Sequence, residues 1–376
     1  MRRSEFVAAL RWVHRWIALT LGTILTAIAL SGSLLYFQPQ FFRWAHGEMI
    51  PERPIQTIGS IDQWVANAKI AAPGLEGPVA IWAPHVHHNI SDVGMVLFRG
   101  LEPGRFGESG WLGVLVSPVT GKVLGSVAMD DSPAYIPLLF HVGLLGGATG
   151  EWVEGIVAIG TLLLLLLGLY LWWPSRDRIM RKLSARPLRK LASALPLHEW
   201  LGIWSLLVLF VLTATGLHLI KPSWVEPVLL AAAGPAQEGV RPELSSLPCD
   251  APIGFDAAIT RARDLVPGGT FTAIEPRYDW QKLRPWQIVF SRNDSPAHHR
   301  EVQVYADLDC GIVALDSTPL SRQSREYVDQ WLLGLHDGRA AGHFGQVVVA
   351  LVGLIPLVML WSGFRMWLRR RNWLAR

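Results

Sequence analysis

The stretch WIALTLGTILTAIALSGSLLYF, Trp16–Phe37, has no charged residue and is long enough to cross a bilayer as a helix, which takes about 20 residues. Three further runs are similarly long and apolar, at Val153–Trp173, His198–Leu219 and Gly345–Leu368. In the whole chain 51% of the residues are hydrophobic and 17% are charged, whereas soluble proteins have about 25% charged residues. The sequence therefore predicts an α-helical membrane protein with four transmembrane helices.

Arginine and lysine residues are concentrated in three segments that adjoin the apolar runs: the N-terminus, the stretch between the second and third runs, and the C-terminus. Because such residues are retained on the cytoplasmic side of a membrane, we expect both termini and the central stretch to be cytoplasmic. In a Gram-negative host the helices would contact the lipid of the inner membrane, and the two long connecting segments would lie in the periplasm. The net charge of +4 gives no argument for nucleic-acid binding, since the basic residues adjoin membrane helices.

The predicted topology alternates membrane helices with domains outside the membrane. Each outside segment has a helical stretch, Ile61–Ile70 or Asp256–Leu265, followed by strand candidates, which is typical of a small α+β domain. The predicted order is a cytoplasmic N-terminus with the first helix (1–37), outside domain 1 (38–151), the second helix (152–173), a cytoplasmic loop (174–197), the third helix (198–220), outside domain 2 (221–344), the fourth helix (345–368) and a cytoplasmic tail (369–376).

The chain has two cysteines, Cys249 and Cys310, both in the second outside segment. A disulfide between them is compatible with an oxidising compartment. Two free thiols are equally compatible, because the sequence does not show whether the residues are close. The sequence contains no CxxCH motif, which excludes a covalently attached c-type haem.

The two halves of the chain carry the same short motifs in the same order, which indicates an internal repeat. The matched motifs are His14-Arg15-Trp16 with His198-Glu199-Trp200, Ser31-Gly32 with Thr215-Gly216, Leu139-Phe140-His141 with Gly334-Leu335-His336, and Gly168-Leu169-Tyr170-Leu171-Trp172 with Gly363-Phe364-Arg365-Met366-Trp367. Each half is therefore a helix–domain–helix unit, and both units enter the membrane in the same direction. This arrangement predicts a pseudo-twofold axis along the membrane normal, with like residues opposite each other.

Two matched pairs of histidines lie at the two ends of the predicted bundle. His14 and His198 open the first and third helices on the cytoplasmic side, and His141 and His336 precede the second and fourth helices on the outer side. Two neutral imidazoles can hold one b-type haem as axial ligands, and the interior of a helix bundle is a usual place for such a cofactor. The alternative for each pair is hydrated histidines at the membrane interface.

His218 and His343 have no histidine at the matching position of the other repeat. His343 lies seven residues after His336, on the same face if the stretch is helical, and a bend in the third helix would turn His218 inward. Either could replace a member of the outer pair. His85 and His87 would share one face of a strand, but no partner stands at metal-site spacing, so surface histidines are the better interpretation.

These motifs, taken in their order, resemble those of the PepSY-associated transmembrane family over nearly the whole chain. Val116–Gly121 resembles the strand–turn segment of the family, with Ser117 where an Asp is usual, and the second copy, Val304–Gly311, departs further. The resemblance implies a PepSY-like α+β periplasmic domain in each repeat. Members with this helix pattern include bacterial inner-membrane siderophore reductases, so it also implies two haem b cofactors, an oxidoreductase activity and a role in iron acquisition.

On this interpretation electrons pass from the inner haem to the outer haem and reduce an Fe(III)–siderophore in the periplasm, which releases Fe(II). The haem iron would be bound through His14, His198, His141 and His336, and the outer haem rather than a protein acid or base would carry the chemistry. The cytoplasmic segments are too short for a flavin or nicotinamide domain. The electron donor would therefore be a quinol in the bilayer or a separate reductase.

Two other functions are compatible with a four-helix membrane protein of this kind. A non-enzymatic PepSY-type regulator would bind a component of the envelope and use its helices as anchors, so the purified protein would be colourless. A siderophore permease would need polar residues at mid-membrane, where the sequence has mainly threonine and serine.

Overall fold

A computed structural model describes residues 2–50, 57–84, 92–103, 109–173, 193–234, 249–276, 285–292, 301–315 and 325–370. In chain order its helices are α1 (Arg3–Leu35), α2 (Gln38–His46), α3 (Ile61–Ala71), α4 (Ile136–His141), α5 (Gly147–Trp172), α6 (Ala194–Ile220), α7 (Pro222–Ala233), α8 (Phe255–Leu265), α9 (Arg325–His336), α10 (Gly342–Val352) and α11 (Ile355–Arg370). Its strands are β1 (Glu76–Trp82), β2 (Gly94–Pro103), β3 (Ser109–Val116), β4 (Val123–Ala128), β5 (Thr270–Pro276), β6 (Trp286–Ser291), β7 (Glu301–Asp307) and β8 (Ile312–Leu315).

The chain forms two compact units, and each unit is built from both halves of the sequence. The membrane unit comprises Met1–Tyr36, Pro137–Ala231 and Leu332–Arg376, and the sheet unit comprises Phe37–Ile136 and Ala232–Trp331. Four segments of the membrane unit are long and apolar enough to cross a membrane: Arg3–Leu35, Gly147–Trp172, Ala194–Ile220 and Arg339–Arg369. The prediction of four transmembrane helices is confirmed. Most of the predicted cytoplasmic loop lies outside the described residues.

The four spans pack as a ring. α1 packs against α5 and α11, and α6 packs against the same two helices, so α1 and α6 lie at opposite corners. Small residues allow the helices to approach closely: a Cβ atom on Gly160 of α5 would overlap the side chain of Leu21 on α1. Such small-residue contacts are a usual basis of helix association in membranes, where lipid removes most of the hydrophobic driving force.

The fourth span is interrupted, whereas the sequence predicts one continuous helix. α10 ends at Val352 and α11 begins at Ile355. Pro356 has no backbone N–H and cannot donate to the carbonyl of Val352, which breaks the helical hydrogen-bond ladder. Gly353 lies in the gap, and a Cβ atom there would overlap the hydroxyl group of Ser33 on α1. The interruption therefore occurs where the fourth span approaches α1 most tightly.

The sheet unit contains one antiparallel sheet in the order β4-β3-β2-β1-β5-β6-β7-β8. The first outside segment supplies β1 to β4 with α3, and the second supplies β5 to β8 with α8. The two halves join where β1 pairs with β5, with Ile81 opposite Ile274 and Trp82 opposite Ala273. α3 and α8 share one apolar core with the sheet, in which Trp64 is fully buried.

The shared sheet differs from the expectation of one separate domain for each outside segment. Each segment has the predicted order of a helix followed by strands, but its first strand pairs with the first strand of the other segment. Left unpaired, β1 and β5 would each present a row of free backbone N–H and C=O groups along an apolar strand. Ile81 and Ile274 are fully buried at the junction, so the pairing also removes apolar surface from water.

The N-terminal ends of α3 and α8 cap each other. Asp256, in the first turn of α8, accepts a hydrogen bond from the backbone N–H of Ile61 at 2.7 Å, and Asp62, in the first turn of α3, accepts one from the backbone N–H of Phe255 at 2.8 Å. The N-terminal ends of two helices carry like partial charges and would repel each other. Each carboxylate satisfies free N–H groups of the other helix and offsets this repulsion.

Replacing Asp256 with alanine is expected to lower the free energy of unfolding of the sheet unit by about 1 kcal/mol, the usual cost of losing an N-terminal helix cap. The measurement is urea unfolding of the full-length protein in detergent, followed by tryptophan fluorescence. Asp264→Ala is the matched control, because Asp264 is exposed near the other end of α8 and should change the stability by less than about 0.5 kcal/mol. Equal stability of the two variants would contradict the capping role.

Cys249 and Cys310 form a disulfide, with 61 positions between them in sequence and 4.6 Å between their Cα atoms. The backbone N–H of Asp250 donates to the carbonyl of Cys310 at 2.9 Å, so the segment before α8 is tied to the turn between β7 and β8. Of the two alternatives that the sequence left open, the structure has the disulfide.

Candidate functional site

The first matched pair of histidines lies at the end of the membrane unit that is predicted to be cytoplasmic, called the inner end below. His14 on α1 and His198 on α6 come together across the bundle, with their ring centroids 6.4 Å apart and their planes at 80°. Each ring lies over a glycine of a neighbouring helix. A Cβ atom on Gly168 would stand 3.3 Å from Cε1 of His14, and one on Gly363 would stand 3.8 Å from Cε1 of His198.

A hydrogen bond orients the ring of His198 through Nδ1. His198 Nδ1 lies 2.9 Å from Oγ of Ser362, and that hydroxyl donates to the carbonyl of Met359 at 2.9 Å. Since the serine proton is used in this bond, Nδ1 of His198 must donate to the serine oxygen. In the first half the carbonyl of Leu164 interacts with His14, although Nδ1 of His14 has no partner of hydrogen-bond geometry among the described residues.

The second matched pair lies at the opposite ends of the spans, which are predicted to face outward and are called the outer ends below. His141 ends α4 and His336 ends α9, and their ring centroids are 5.9 Å apart with the planes at 41°. Nδ1 of His141 lies 2.9 Å from the carbonyl of Ile28 on α1, and Nδ1 of His336 lies 3.0 Å from the carbonyl of Leu212 on α6. A carbonyl only accepts, so Nδ1 carries the hydrogen in both rings.

The Ser-Gly and Thr-Gly motifs form the seats of the outer rings. The Oγ atom of Ser31 lies 3.4 Å from His141 Nδ1, and the Oγ1 atom of Thr215 lies 3.1 Å from His336 Nδ1. The glycine that follows each hydroxyl residue is needed for space: a Cβ atom would fall 2.7 Å from Cε1 of His141 at Gly32 and 2.9 Å from Cε1 of His336 at Gly216. The sequence analysis identified these motifs as repeat markers and missed their role beneath the histidines. It also missed Ser362, although Ser362-Gly363 is a further Ser/Thr-Gly pair within a span.

The two histidine pairs present nitrogen atoms that are chemically suited to bind a metal ion. With hydrogen on Nδ1, the lone pair of Nε2 is free to bind a metal, and a hydrogen bond from the other ring nitrogen is typical of metal-binding histidines. Metal–imidazole bonds of about 2.0–2.1 Å would separate two ring centroids by about 6 Å, close to both observed separations. Among the described residues no group of three or more His, Cys, Asp or Glu can hold a metal ion. Two imidazoles supply two ligands, and a metal that they hold would take its remaining ligands from another source, such as a macrocycle.

His343 and His218, the two alternatives for the outer pair, have other surroundings. His343 Nε2 lies 3.2 Å from the hydroxyl of Tyr36, with the two rings 5.8 Å apart. His218 is buried on α6, three residues after Thr215. In the structure the ring of His141 therefore lies next to that of His336, and the ring of His343 lies next to that of Tyr36.

The remaining histidines do not add to these two sites. His46 lies in the sheet unit with Nε2 2.8 Å from the hydroxyl of Ser132. Partial burial lowers the pKa of His46, and the negative charge of Glu48 opposes this shift. The predicted strand-face pair, His85 and His87, lies outside the described residues, as do His88, His298 and His299.

Comparison with known proteins gives one family. The family model described as the PepSY-associated TM region matches residues 11–370. This range contains both histidine pairs, the four spans and both outside segments. Among curated proteins, none matches the chain.

Proposed function

The chain belongs to the PepSY-associated TM family, and from its paired histidines we propose that it is an inner-membrane haem-b reductase. It would pass electrons across the membrane, reduce an Fe(III)–siderophore in the periplasm and release Fe(II) during iron uptake. The observation that carries the proposal is the recurrence of one arrangement at two depths. At each depth two imidazoles lie with their centroids about 6 Å apart and pack against glycines. Three of the four rings, those of His141, His198 and His336, are also oriented by a hydrogen bond at Nδ1.

The two depths supply a path across the bilayer. Along α1, His14 of the inner pair and Ile28, the hydrogen-bond acceptor of His141, are separated by about 21 Å at about 1.5 Å per residue. A b-type haem at each level would supply one-electron chemistry, tuned by its axial ligands and by burial. The imidazoles would hold each group, and the apolar helices would exclude water around it.

Unpaired donors near the inner level are consistent with an acidic cofactor. Arg15 Nε and Trp200 Nε1 are buried and have no hydrogen-bond partner among the described residues. Each residue follows a histidine of the inner pair by one or two positions. Buried donors are normally paired, and the propionate groups of a haem or the oxygens of a quinone would accept from them. A quinone oxygen at this level would fit a quinol as the electron donor, and a separate cytoplasmic reductase is the alternative.

The disulfide supports the proposed orientation of the chain. Cys249 and Cys310 both belong to the sheet unit, which contains both outside segments. Disulfides persist in the bacterial periplasm and are rare in the cytosol. A sheet unit on the periplasmic side places the outer histidine pair next to the compartment in which a ferric siderophore arrives. Hard oxygen ligands bind Fe(II) more weakly than Fe(III), so one-electron reduction releases the metal.

The polar residues inside the spans do not favour a permease. The hydroxyl groups of Thr26, Thr161 and Ser205 each donate to the backbone carbonyl four residues earlier in their own helix. Hydroxyl groups that donate in this way have no proton left to donate to a hydrophilic substrate. The described spans are therefore better suited to holding electron carriers than to transporting a solute.

Purified protein is expected to be coloured, with a Soret band and, after reduction, the α-band of a b-type haem at about two haems per chain. The measurement is a reduced-minus-oxidised spectrum with a haem count by pyridine extraction. Reduced protein mixed with a ferric hydroxamate should become oxidised while Fe(II) accumulates. A colourless preparation from haem-replete cells would refute the proposal and favour a regulator anchored by its helices.

A further inference from the structure

Glu154 is the one buried carboxylate in the described part of the membrane unit. Its side chain is 5% exposed, and neither carboxylate oxygen has a hydrogen-bond partner among the described residues. It lies within α5, one of the four spans. An ionisable side chain inside a membrane is costly and is a functional hypothesis by default. The haem proposal gives this residue no role.

Glu154 faces the interior of the bundle. The buried positions of α5 include Gly150, Glu154, Val157 and Thr161, which recur at helical spacing and form one face. The acid is therefore held inside the protein on the same face as the small and apolar residues that contact the other helices. A surface position, at which a glutamate would cost little, is excluded.

Contacts between α1 and α5 give the depth of Glu154. His14 meets Gly168, and Leu21 meets Gly160, so the two helices run in opposite directions with these residues side by side. Extending the same register outward places Glu154 level with Ile28, whose carbonyl accepts from Nδ1 of His141. The acid thus stands at the level of the outer histidine pair.

The chain segment after His141 also reaches this carboxylate. The backbone of Gly143 and Leu144 interacts with Glu154, although no contact has standard hydrogen-bond geometry. Leu144 and Leu145 have φ angles of 49° and 58°, a conformation that costs side chains other than glycine energy. A tight turn therefore links the outer pair to the acid.

The second repeat shows that packing alone does not require an acid here. The register that aligns His141 with His336 and Gly168 with Gly363 aligns Glu154 with Val349. A valine fills the equivalent position of the bundle at no electrostatic cost. The carboxylate is a departure from the internal symmetry at one level of the membrane.

We propose that Glu154 takes up a proton when the outer site gains an electron and gives it up when that electron leaves. This inference rests on the proposed function. Reduction adds one negative charge in a medium of low dielectric, where an uncompensated charge is costly. One proton entering from the periplasm forms the O–H bond of the carboxylic acid and offsets it. When the electron passes to the ferric complex, the O–H bond breaks and the proton returns to the periplasm.

Neighbouring groups offer the proton a way out. Glu151 lies one turn further outward on α5 and pairs with Lys221 at 2.8 Å, with 39% of its own side chain exposed. A proton leaving Glu154 can pass along this side of α5 to water. The other titratable side chains on elements packed around this part of α5 are His141 on α4, Tyr36 beyond α1, His218 on α6 and Glu226 on α7. Between Arg15 and Tyr36, α1 has no titratable side chain.

The test is a spectroelectrochemical titration of the haem-loaded, full-length protein at several pH values. In the wild type one of the two midpoint potentials should fall as the pH rises, approaching about 59 mV for each tenfold change in proton concentration. Glu154→Gln should abolish this slope and leave the other potential unchanged. Glu226→Gln, which removes an exposed carboxylate on α7, is the matched control and should retain the slope. A slope that persists in Glu154→Gln would overturn the inference.

A second measurement keeps the test decisive if Glu154→Gln fails to load haem. The redox-induced infrared difference spectrum of the wild type should contain the carbonyl band of a carboxylic acid that forms on reduction. Two haems with pH-independent potentials and no such band would overturn the role of Glu154 while the reductase proposal stands. Protein without haem would instead refute the proposed function itself.

Discussion

Replacing His336 with alanine is expected to lower the haem content from about two to about one per chain. His336 would supply one of the two protein ligands at the outer site. Its ring is held by a hydrogen bond to the carbonyl of Leu212 and packs against Gly216. Metal sites that lose a protein ligand lose affinity steeply, since even second-shell changes cost 10–100-fold. The haem that remains should be the inner one, with an unchanged potential. Pyridine haemochrome analysis of the purified protein gives the count.

His343→Ala is the matched control for this prediction. His343 lies seven positions further along the chain, at the start of the fourth span, with its ring against Tyr36. The variant should retain about two haems, because His343 belongs to neither ring pair. Haem loss in His343→Ala with full retention in His336→Ala would move the outer ligand to His343. That result would contradict the assignment from ring geometry and leave the topology unchanged.

Replacing Cys249 with serine is expected to lower the free energy of unfolding of the sheet unit by about 4 kcal/mol. The disulfide closes a loop of 61 positions, and the chain-entropy model gives between about 3 kcal/mol for a short loop and about 5 kcal/mol for a long one. Urea unfolding of the full-length protein in detergent measures the effect through tryptophan fluorescence.

Reduced wild-type protein serves as the comparison for Cys249→Ser. It should unfold at the same urea concentration as the variant, since both lack only the crosslink. Both should keep their haem, because the disulfide belongs to the sheet unit and the histidine pairs to the membrane unit. If the variant and the oxidised wild type unfolded together, the disulfide would not contribute to stability.

The pairing of the histidines could be predicted from the sequence because it depends on the repeat. Residues at matching positions of two parallel repeats meet across a pseudo-twofold axis, so His14 with His198 and His141 with His336 required no knowledge of side-chain packing. The seats of the rings could not be predicted. The carbonyls of Ile28 and Leu212 belong to the backbone, so no side chain in the sequence marks them as hydrogen-bond acceptors. Gly32 in the sequence is explained equally well by close packing of helices.

The shared sheet could not be predicted from local patterns either. Both outside segments show the period and composition of a small α+β domain, and nothing in a strand states which distant strand it will join. The junction of β1 with β5 is decided by the burial of Ile81 and Ile274, which involves residues almost two hundred positions apart. Pro356 is a sequence signal for the interruption of the fourth span. The prediction of one continuous helix is based on apolar composition alone and does not use this signal.

The participation of both halves in every unit has an evolutionary consequence. Each histidine pair takes one ring from each repeat. In the sheet unit, α3 and α8 come from different repeats and cap each other, and β1 of one repeat pairs with β5 of the other. A single repeat can complete none of these features alone, whereas two identical copies related by a twofold axis can complete all of them. We therefore expect the ancestor to have been a homodimer of one repeat, fused after gene duplication. After fusion the two copies could differ in sequence. Glu154 and Val349 occupy matching positions, and a difference of this kind requires the two repeats to be encoded separately, as they are in a fused chain.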